Sequence, residues 1–317
     1  MKKYPILLSY DTRDYIWGGS KLKKEWNKEA KSEKIAESWE LSVNDKSQSR
    51  ALNGCFSGLT LARILKDNPE FLGSKGQKFP FFPVLIKLID ADQTLSIQVH
   101  PDDEYALKNE GQYGKTEMWY ICDVCGDGGG GEIYLGLNTD IDKEDLKKAI
   151  IDGSVEKYLN KIKVKPGEYY LVPAGTLHAI RGGLTLLEVQ QSSDVTYRVY
   201  DYDRIDASGN KRELHIEKAL DVVNCRKYAL PEQNLKYDAF EGHKERLLAQ
   251  NRYFTVREII VESALDMYDH GSFTAFTVIN GSGKADNYPV KKGSTVFLPA
   301  DYKAKLTGKM TVVAVSV

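Results

Sequence analysis

Cysteine is scarce in this chain, with four in 317 residues. Cys55, Cys122, Cys125 and Cys225 are too few and too scattered for a disulfide framework, which points to a reducing compartment. Net charge is scarcer still: 44 basic and 45 acidic side chains nearly cancel. No field of one sign therefore holds nucleic acid or an anionic membrane, and any phosphate must be bound by a local group. Long apolar runs are missing too. The longest, FPFFPVLIKLI at 79–89, is interrupted by Lys87 and prolines well short of a membrane span. The N-terminal run stops at Tyr10 and Asp11, too short for a secretory signal and without a small-residue cleavage site. Together these absences leave a cytoplasmic globular protein, and 42% hydrophobic content suffices for one large or two ordinary domains.

Short strands and turns dominate the pattern. Residues 4–57 read as strands and turns around Gly18-Gly19 and Asn53-Gly54, with a charged, mobile stretch at Lys21 to Lys34. Leu59, Ala62, Ile64 and Leu65 predict a short helix over 59–67, and Phe81 to Ile89 predicts a strand buried on both faces. LSIQVH, EMWYICDVC, EIYLGL, LTLLEVQ and VTYRVYDYD read as further strands, DDEYALKNEG and HIEKALDVVN as helices, and 142–160 as a pair of short surface helices. The run Gly126, Gly128, Gly131 formally matches a dinucleotide fingerprint. A strand follows it where a helix is required, so a hairpin loop is the better reading. Residues 225–250 are polar and irregular and suggest a boundary. The remainder to Val317 alternates as an all-β segment.

GEYYLVPAGTLHAIRG at 167–182 predicts a β-hairpin presenting His178 just beyond its turn. GSTVFLPADYKAKLTG at 293–308 repeats its first and last glycines and its Pro-Ala pair, with Asp301 for Gly175 and Ala304 for His178. A duplication of this kind predicts two barrels and one metal.

Gln98 and His100 stand two apart on a predicted strand and leave the same face. With Glu117 and His178 they make two imidazoles, a carboxylate and an amide. That set suits a borderline divalent ion such as zinc and leaves room for water or substrate. His215, His243 and His270 lack such company and read as ordinary polar side chains. Cys122 and Cys125 form a CxxC without a second pair, which argues against a zinc ribbon.

The spacing Gly, five residues, Pro, one residue, Gly, two residues, His in the 167–182 segment resembles the second motif of the cupin superfamily. LSIQVHPDDEYA, GKTEMWY, VPAGTLHAI and LLEVQQSSDVTYRVYDYDR, spread over residues 94–204, resemble the signatures of type I mannose-6-phosphate isomerases of the short bacterial form. The resemblance implies a mainly β chain of two cupin-type jelly-roll barrels with a few short helices. Residues 1–240 would be the catalytic domain and 241–317 a ligand-free β domain. It implies one zinc per chain on Gln98, His100, Glu117 and His178; catalytic Arg198, Glu188 and Lys115; and substrate contacts from Ser96, Lys115 and Arg198. The implied partner is a small sugar phosphate, with no nucleic acid or membrane, on a monomer or weak homo-oligomer. The short gap between Glu117 and His178 implies that the larger members' helical domain is mostly missing.

Interconverting an aldose and a ketose requires moving a proton between C2 and C1 and stabilising an enediolate. Arg198 is the expected second positive contact, unless it only pairs with Asp201 or Asp203. The proton carrier stays open among Glu188, Lys115 and a metal-bound water. A non-catalytic sugar-phosphate-binding cupin and a dioxygenase are the alternatives. Gln98 argues against the dioxygenase, since a His-x-His pair is expected there.

Overall fold

The computed structural model describes residues 3–125, 131–205 and 209–317. The chain is mainly β, with short helices, and builds in layers. A five-stranded sheet runs in the order 159–163, 132–137, 178–180, 97–99, 197–200. A six-stranded sheet runs in the order 169–172, 117–124, 184–191, 84–91, 37–41, 11–13. Ile133, Leu135 and Ile180 of the first pack against Ile89, Trp119, Ile121 and Leu186 of the second, so the two form a sandwich. The outer face of the five-stranded sheet is covered by the helices Lys143–Ile151 and Ile216–Val222. That of the six-stranded sheet packs, through Ile86, Leu88, Met118, Tyr120, Leu187 and Val189, on a nine-stranded C-terminal sheet.

Strand alternation explains how one strand serves two cores. In Val84–Ala91 every residue is buried, with Ile86 and Leu88 facing the C-terminal sheet while Lys87 and Ile89 face the sandwich interior. The fully buried strand expected there is present. The expected helix at 59–67 is Leu61–Asp67, capped by the Thr60 hydroxyl, which accepts from the Arg63 amide at 3.2 Å.

Several expectations are corrected. The expected barrels do not close, because each ladder remains a separate sheet. The hairpin expected at 167–182 is not one: Tyr169–Val172 lies in the six-stranded sheet and His178–Ile180 in the five-stranded sheet. Pro173 has no N–H for a ladder, and Gly175 (φ 82°) turns the chain across the gap while its amide donates to the His100 carbonyl at 2.8 Å. Gly126 and Gly128 of the glycine run lie outside the described residues. The strands flanking that run, Glu117–Val124 and Glu132–Leu137, fall in different sheets and form no hairpin ladder with one another.

Of the helix pair expected at 142–160, Lys143–Ile151 is helical, followed by a single 3-10 turn and then the strand Leu159–Lys163. Within 225–250, expected to be irregular, Asp238–Phe240 and His243–Gln250 are paired strands. Arg246 on the second is only 3% exposed because Glu258 pairs with it. The first strand, Ile6–Leu8, pairs with Thr295 to Phe297 in the C-terminal sheet. Among the described residues no helix is long and apolar enough to cross a membrane.

The charged stretch expected to be mobile is instead anchored. It carries the helix Lys21–Glu25, and Leu22, Trp26 and Lys28 behind it are buried. Lys28 Nζ lies 2.6 Å from Glu40 and donates to the Gly293 carbonyl at 2.7 Å, with both charged side chains 1% exposed. Removing one partner leaves an uncompensated buried charge. Lys28→Ala should therefore lower unfolding free energy by about 3–5 kcal/mol in urea titration; a loss below about 1 kcal/mol, typical of an exposed pair, would contradict this anchoring role.

Candidate metal centre and cleft

Two rows of side chains, set by strand register, face each other inside the sandwich. Across the five-stranded sheet His178 is paired with Gln98, and Gln98 with Arg198. Across the six-stranded sheet Trp39 is paired with Lys87, Lys87 with Glu188, and Glu188 with Trp119. Glu117 stands two residues before Trp119 and so shares its face. The turn at Gly175 carries His178 from above Glu117, whose strand neighbour is Val172, onto the opposite sheet.

His100, Glu117 and His178 are buried and their donor atoms lie within 4.8 Å of one another. Among the described residues they form the one group of this kind. Each imidazole is fixed by a backbone carbonyl: His100 Nδ1 by Val195 and His178 Nδ1 by Thr176, both at 2.8 Å. A carbonyl only accepts, so Nδ1 carries the proton and Nε2 keeps its lone pair. Both Nε2 atoms face Glu117, at 3.5 Å from Oε2 for His100 and 3.4 Å from Oε1 for His178. Burial first, and then the Lys115 charge, hold the His100 ring well below its usual pKa. Burial likewise pushes His178 down to about 4, against the opposing pull of the Thr176 bond. Neutral rings with inward lone pairs are what a metal ligand requires.

Glu117 is fully buried, and neither carboxylate oxygen has an aligned hydrogen bond. Its nearest cation is the Lys115 ammonium, 2.7 Å from Oε2 and 3.1 Å from His100 Nε2. Burial, and then repulsion from Glu188, push Glu117 up to about 7. A carboxylate placed this way calls for a cation, and a divalent ion fits the three donors. Gln98 completes the rim, its amide end 3.4 Å from His178 Nε2.

A cleft of about 320 Å³ opens beside this cluster. Its walls include Gln98, Lys115, Glu188, Ser96 and Arg198, so these sequence-expected residues share one site. Arg198 does not pair with Asp201 or Asp203 as the structural alternative supposed. Asp201 is taken by Arg204 and Arg212, and Asp203 by Lys211. Arg198 instead donates to Ser96 Oγ at 3.3 Å and to the Glu213 carbonyl at 2.9 Å. Glu188 is acted on by opposing influences. Burial raises its pKa, but Lys115, Lys87 and the Trp119 N–H outweigh burial, and the carboxyl is held below its usual value.

Sequence reasoning missed Glu37, Trp39, Lys87 and Arg212 in the cleft wall. Lys87 Nζ lies 3.4 Å from Glu188 and 3.7 Å from Glu37, whose Oε2 accepts from the Trp39 indole at 2.7 Å. The signal was present in Lys87 itself, the one polar residue in the run Val84 to Ile89. The four cysteines are free, and burial pushes the Cys122 thiol up, away from the reactive thiolate form.

His178→Ala removes one of three inward donors. Metal content measured by elemental analysis should fall at least about tenfold, as loss of a ligand demands. Arg198→Ala should keep its metal, and equal loss in both variants would contradict the separation of the two residues.

Residues 6–118 match the family model of the type I phosphomannose isomerase catalytic domain, and residues 244–317 that of the mannose-6-phosphate isomerase cupin domain. The chain is 36% identical over 315 residues to the mannose-6-phosphate isomerase of Streptococcus mutans serotype c, covering 98% of this chain and 97% of that one. It is 39% identical over 308 residues to the probable mannose-6-phosphate isomerase GmuF of Bacillus subtilis, covering 94% of each. The crystal structure of the mannose 6-phosphate isomerase from Bacillus subtilis superposes with a TM-score of 0.91 at 37% identity, over 99% of this chain and 100% of that chain. With near-complete coverage and a three-donor cluster able to hold a metal on the matched fold, this chain belongs to the type I phosphomannose isomerase family.

Proposed function

We propose that the protein is a zinc-dependent isomerase interconverting mannose 6-phosphate and fructose 6-phosphate through an enediolate. One observation carries the reading: Arg198, Glu188 and Lys115 line a cleft of sugar size, and two of its lining residues touch the His100, Glu117, His178 cluster, Lys115 at 2.7 Å from Glu117 and Gln98 at 3.4 Å from His178. One zinc per chain would be held by these three donors, with Gln98 as a fourth when its amide oxygen turns inward. When bound, the ion supplies Lewis-acid polarisation of the substrate carbonyl.

Glu188 is our choice for the proton carrier between C2 and C1. It is held ionised, as a base must be, and its Oε1 makes no aligned hydrogen bond. Lys87 and the Trp119 indole fix the carboxylate in place, at the cost of some basicity. The Arg198 guanidinium, steered by Ser96 and the Glu213 carbonyl, supplies a fixed positive contact for the enediolate oxygen. Lys115 adds a second cation to the lining of the same cleft. Residues 1–240 would carry this chemistry and residues 241–317 would lack ligands. The same reading places a monomer or weak homo-oligomer in the cytoplasm, acting on a small sugar phosphate and on neither nucleic acid nor membrane.

The metal-loaded protein should convert mannose 6-phosphate and exchange its C2 hydrogen with solvent, and the chelated protein should do neither. Binding without turnover or exchange would sink the isomerase reading. Arg198→Ala should lower kcat by about a hundredfold or more with metal retained, the scale of losing a preorganised oxyanion contact. Glu188→Gln should abolish C2 exchange, and persistence of exchange would move the proton carrier elsewhere.

A further inference from the structure

The cleft has a second end, away from Glu117, where positive charge exceeds negative. Arg198, Arg204 and Arg212 gather there around one buried carboxylate, Asp201, which is 5% exposed. An antiparallel bridge between Ile205 and Lys211 brings Arg212 back beside Arg204. The two guanidiniums then play different parts. Arg204 is committed inward: Nη1 donates to the Thr94 carbonyl at 2.6 Å, Nε to the Asp201 carbonyl at 3.2 Å, and Nη2 pairs with the Asp201 carboxylate. Arg212 grips Asp201 through Nε, at 2.7 Å, and Nη2, and it also lines the cleft. A guanidinium has five N–H groups in a rigid fork, so this two-point grip orients it and leaves donors for the cleft.

The neighbours fit an anion. Ser96 and Thr196 line the same cleft as Arg198 and Arg212. Arg198 is held below its usual pKa, first by burial and then by the charge of Arg212, which marks crowding of positive charge. The acids nearby are engaged or solvated: Asp194 pairs with Lys46 at 2.5 Å, and the Glu213 side chain is 83% exposed.

We propose that Arg212, oriented by Asp201, binds the phosphate of the sugar phosphate at the end of the cleft opposite Glu117, and that Asp201 acts as a positioning residue. The proposal rests on the isomerase reading for the identity of the ligand. A phosphate monoester carries close to two negative charges at neutral pH and accepts paired N–H donors from a guanidinium. Holding the phosphate there would anchor the substrate in the cleft, with its carbonyl end toward His100 and His178.

The test titrates mannose 6-phosphate calorimetrically into the metal-loaded full chain and measures turnover in parallel. Arg212→Met should weaken binding about ten- to a hundredfold, the scale of a lost hydrogen bond to a charged group. It should raise KM alike and leave kcat within about threefold, the mark of uniform binding. Arg204→Met, which removes the inward cation from Asp201, should change affinity less than about threefold if Arg212 alone meets the phosphate. Arg212→Lys, which keeps the charge but not the fork, guards against misfolding of the methionine variant and should lose about three- to tenfold. Unchanged affinity in both Arg212 variants, equal weakening in Arg204→Met, or no binding by the wild type would each overturn the proposal. Tight binding that depends on Arg212 but yields no turnover would support it while sinking the isomerase reading.

Discussion

The structure turns on a carboxylate buried where it has no adequate hydrogen-bond donors. Glu117 is inaccessible, its oxygens lack aligned partners, and two imidazole lone pairs point at it. Burying an ionised carboxylate costs several kcal/mol even after relaxation, and adding two neutral rings that offer only lone pairs makes the spot worse without a cation. The Lys115 ammonium meets part of that demand. A divalent ion meets it more fully, because it can accept all three lone pairs at once. What looks like a defect in packing is thus the feature that selects a ligand.

Sheet register does the rest of the positioning. A residue's place in a ladder fixes its neighbours to within a side chain, and the pleat fixes its face. His178, Gln98 and Arg198 form one row, and Trp39, Lys87, Glu188 and Trp119 form the row opposite. A slip of one residue in the Leu184–Gln191 strand would turn Glu188 toward the C-terminal sheet and Leu187 into the cleft. The apolar residues alternating with the site, Ile86, Leu88, Leu187 and Val189, therefore hold the chemistry in register by filling the core on the other side.

The candidate donor cluster was legible because much of its spacing is local. Gln98 and His100 share a strand face, and Pro173, Gly175 and His178 share one turn. What that turn joins was not legible, since a five-residue crossing between sheets and a hairpin have similar punctuation and differ only in the partners of each strand. Buried charges were illegible for a related reason. Lys28 and Arg246 count as polar in any window, yet each is hidden because a distant carboxylate, Glu40 or Glu258, meets it. Arg212 was likewise visible only as one charge among many until Asp201 placed it.

Those two hidden cations also explain why the second copy of the turn persists without its histidine. Gly167 and Gly293 open the two copies with matching backbone, φ 88° and 84°, and Asp301 takes the left-handed conformation of Gly175, φ 57° against 82°. Ala304, at the place of His178, is buried in the C-terminal core. The carbonyl of Gly167 accepts from Arg246 of the C-terminal sheet, and the carbonyl of Gly293 accepts from Lys28 of the N-terminal segment. Each copy's opening turn is gripped by a buried cation from the other half of the molecule. A side chain at Gly293 would sit 2.2 Å from the Trp26 carbonyl, so this approach admits only glycine. The repeat kept the geometry that joins the halves. With Ala304 at the place of His178, the second turn presents a methyl group to the C-terminal core where the first presents an imidazole to Glu117.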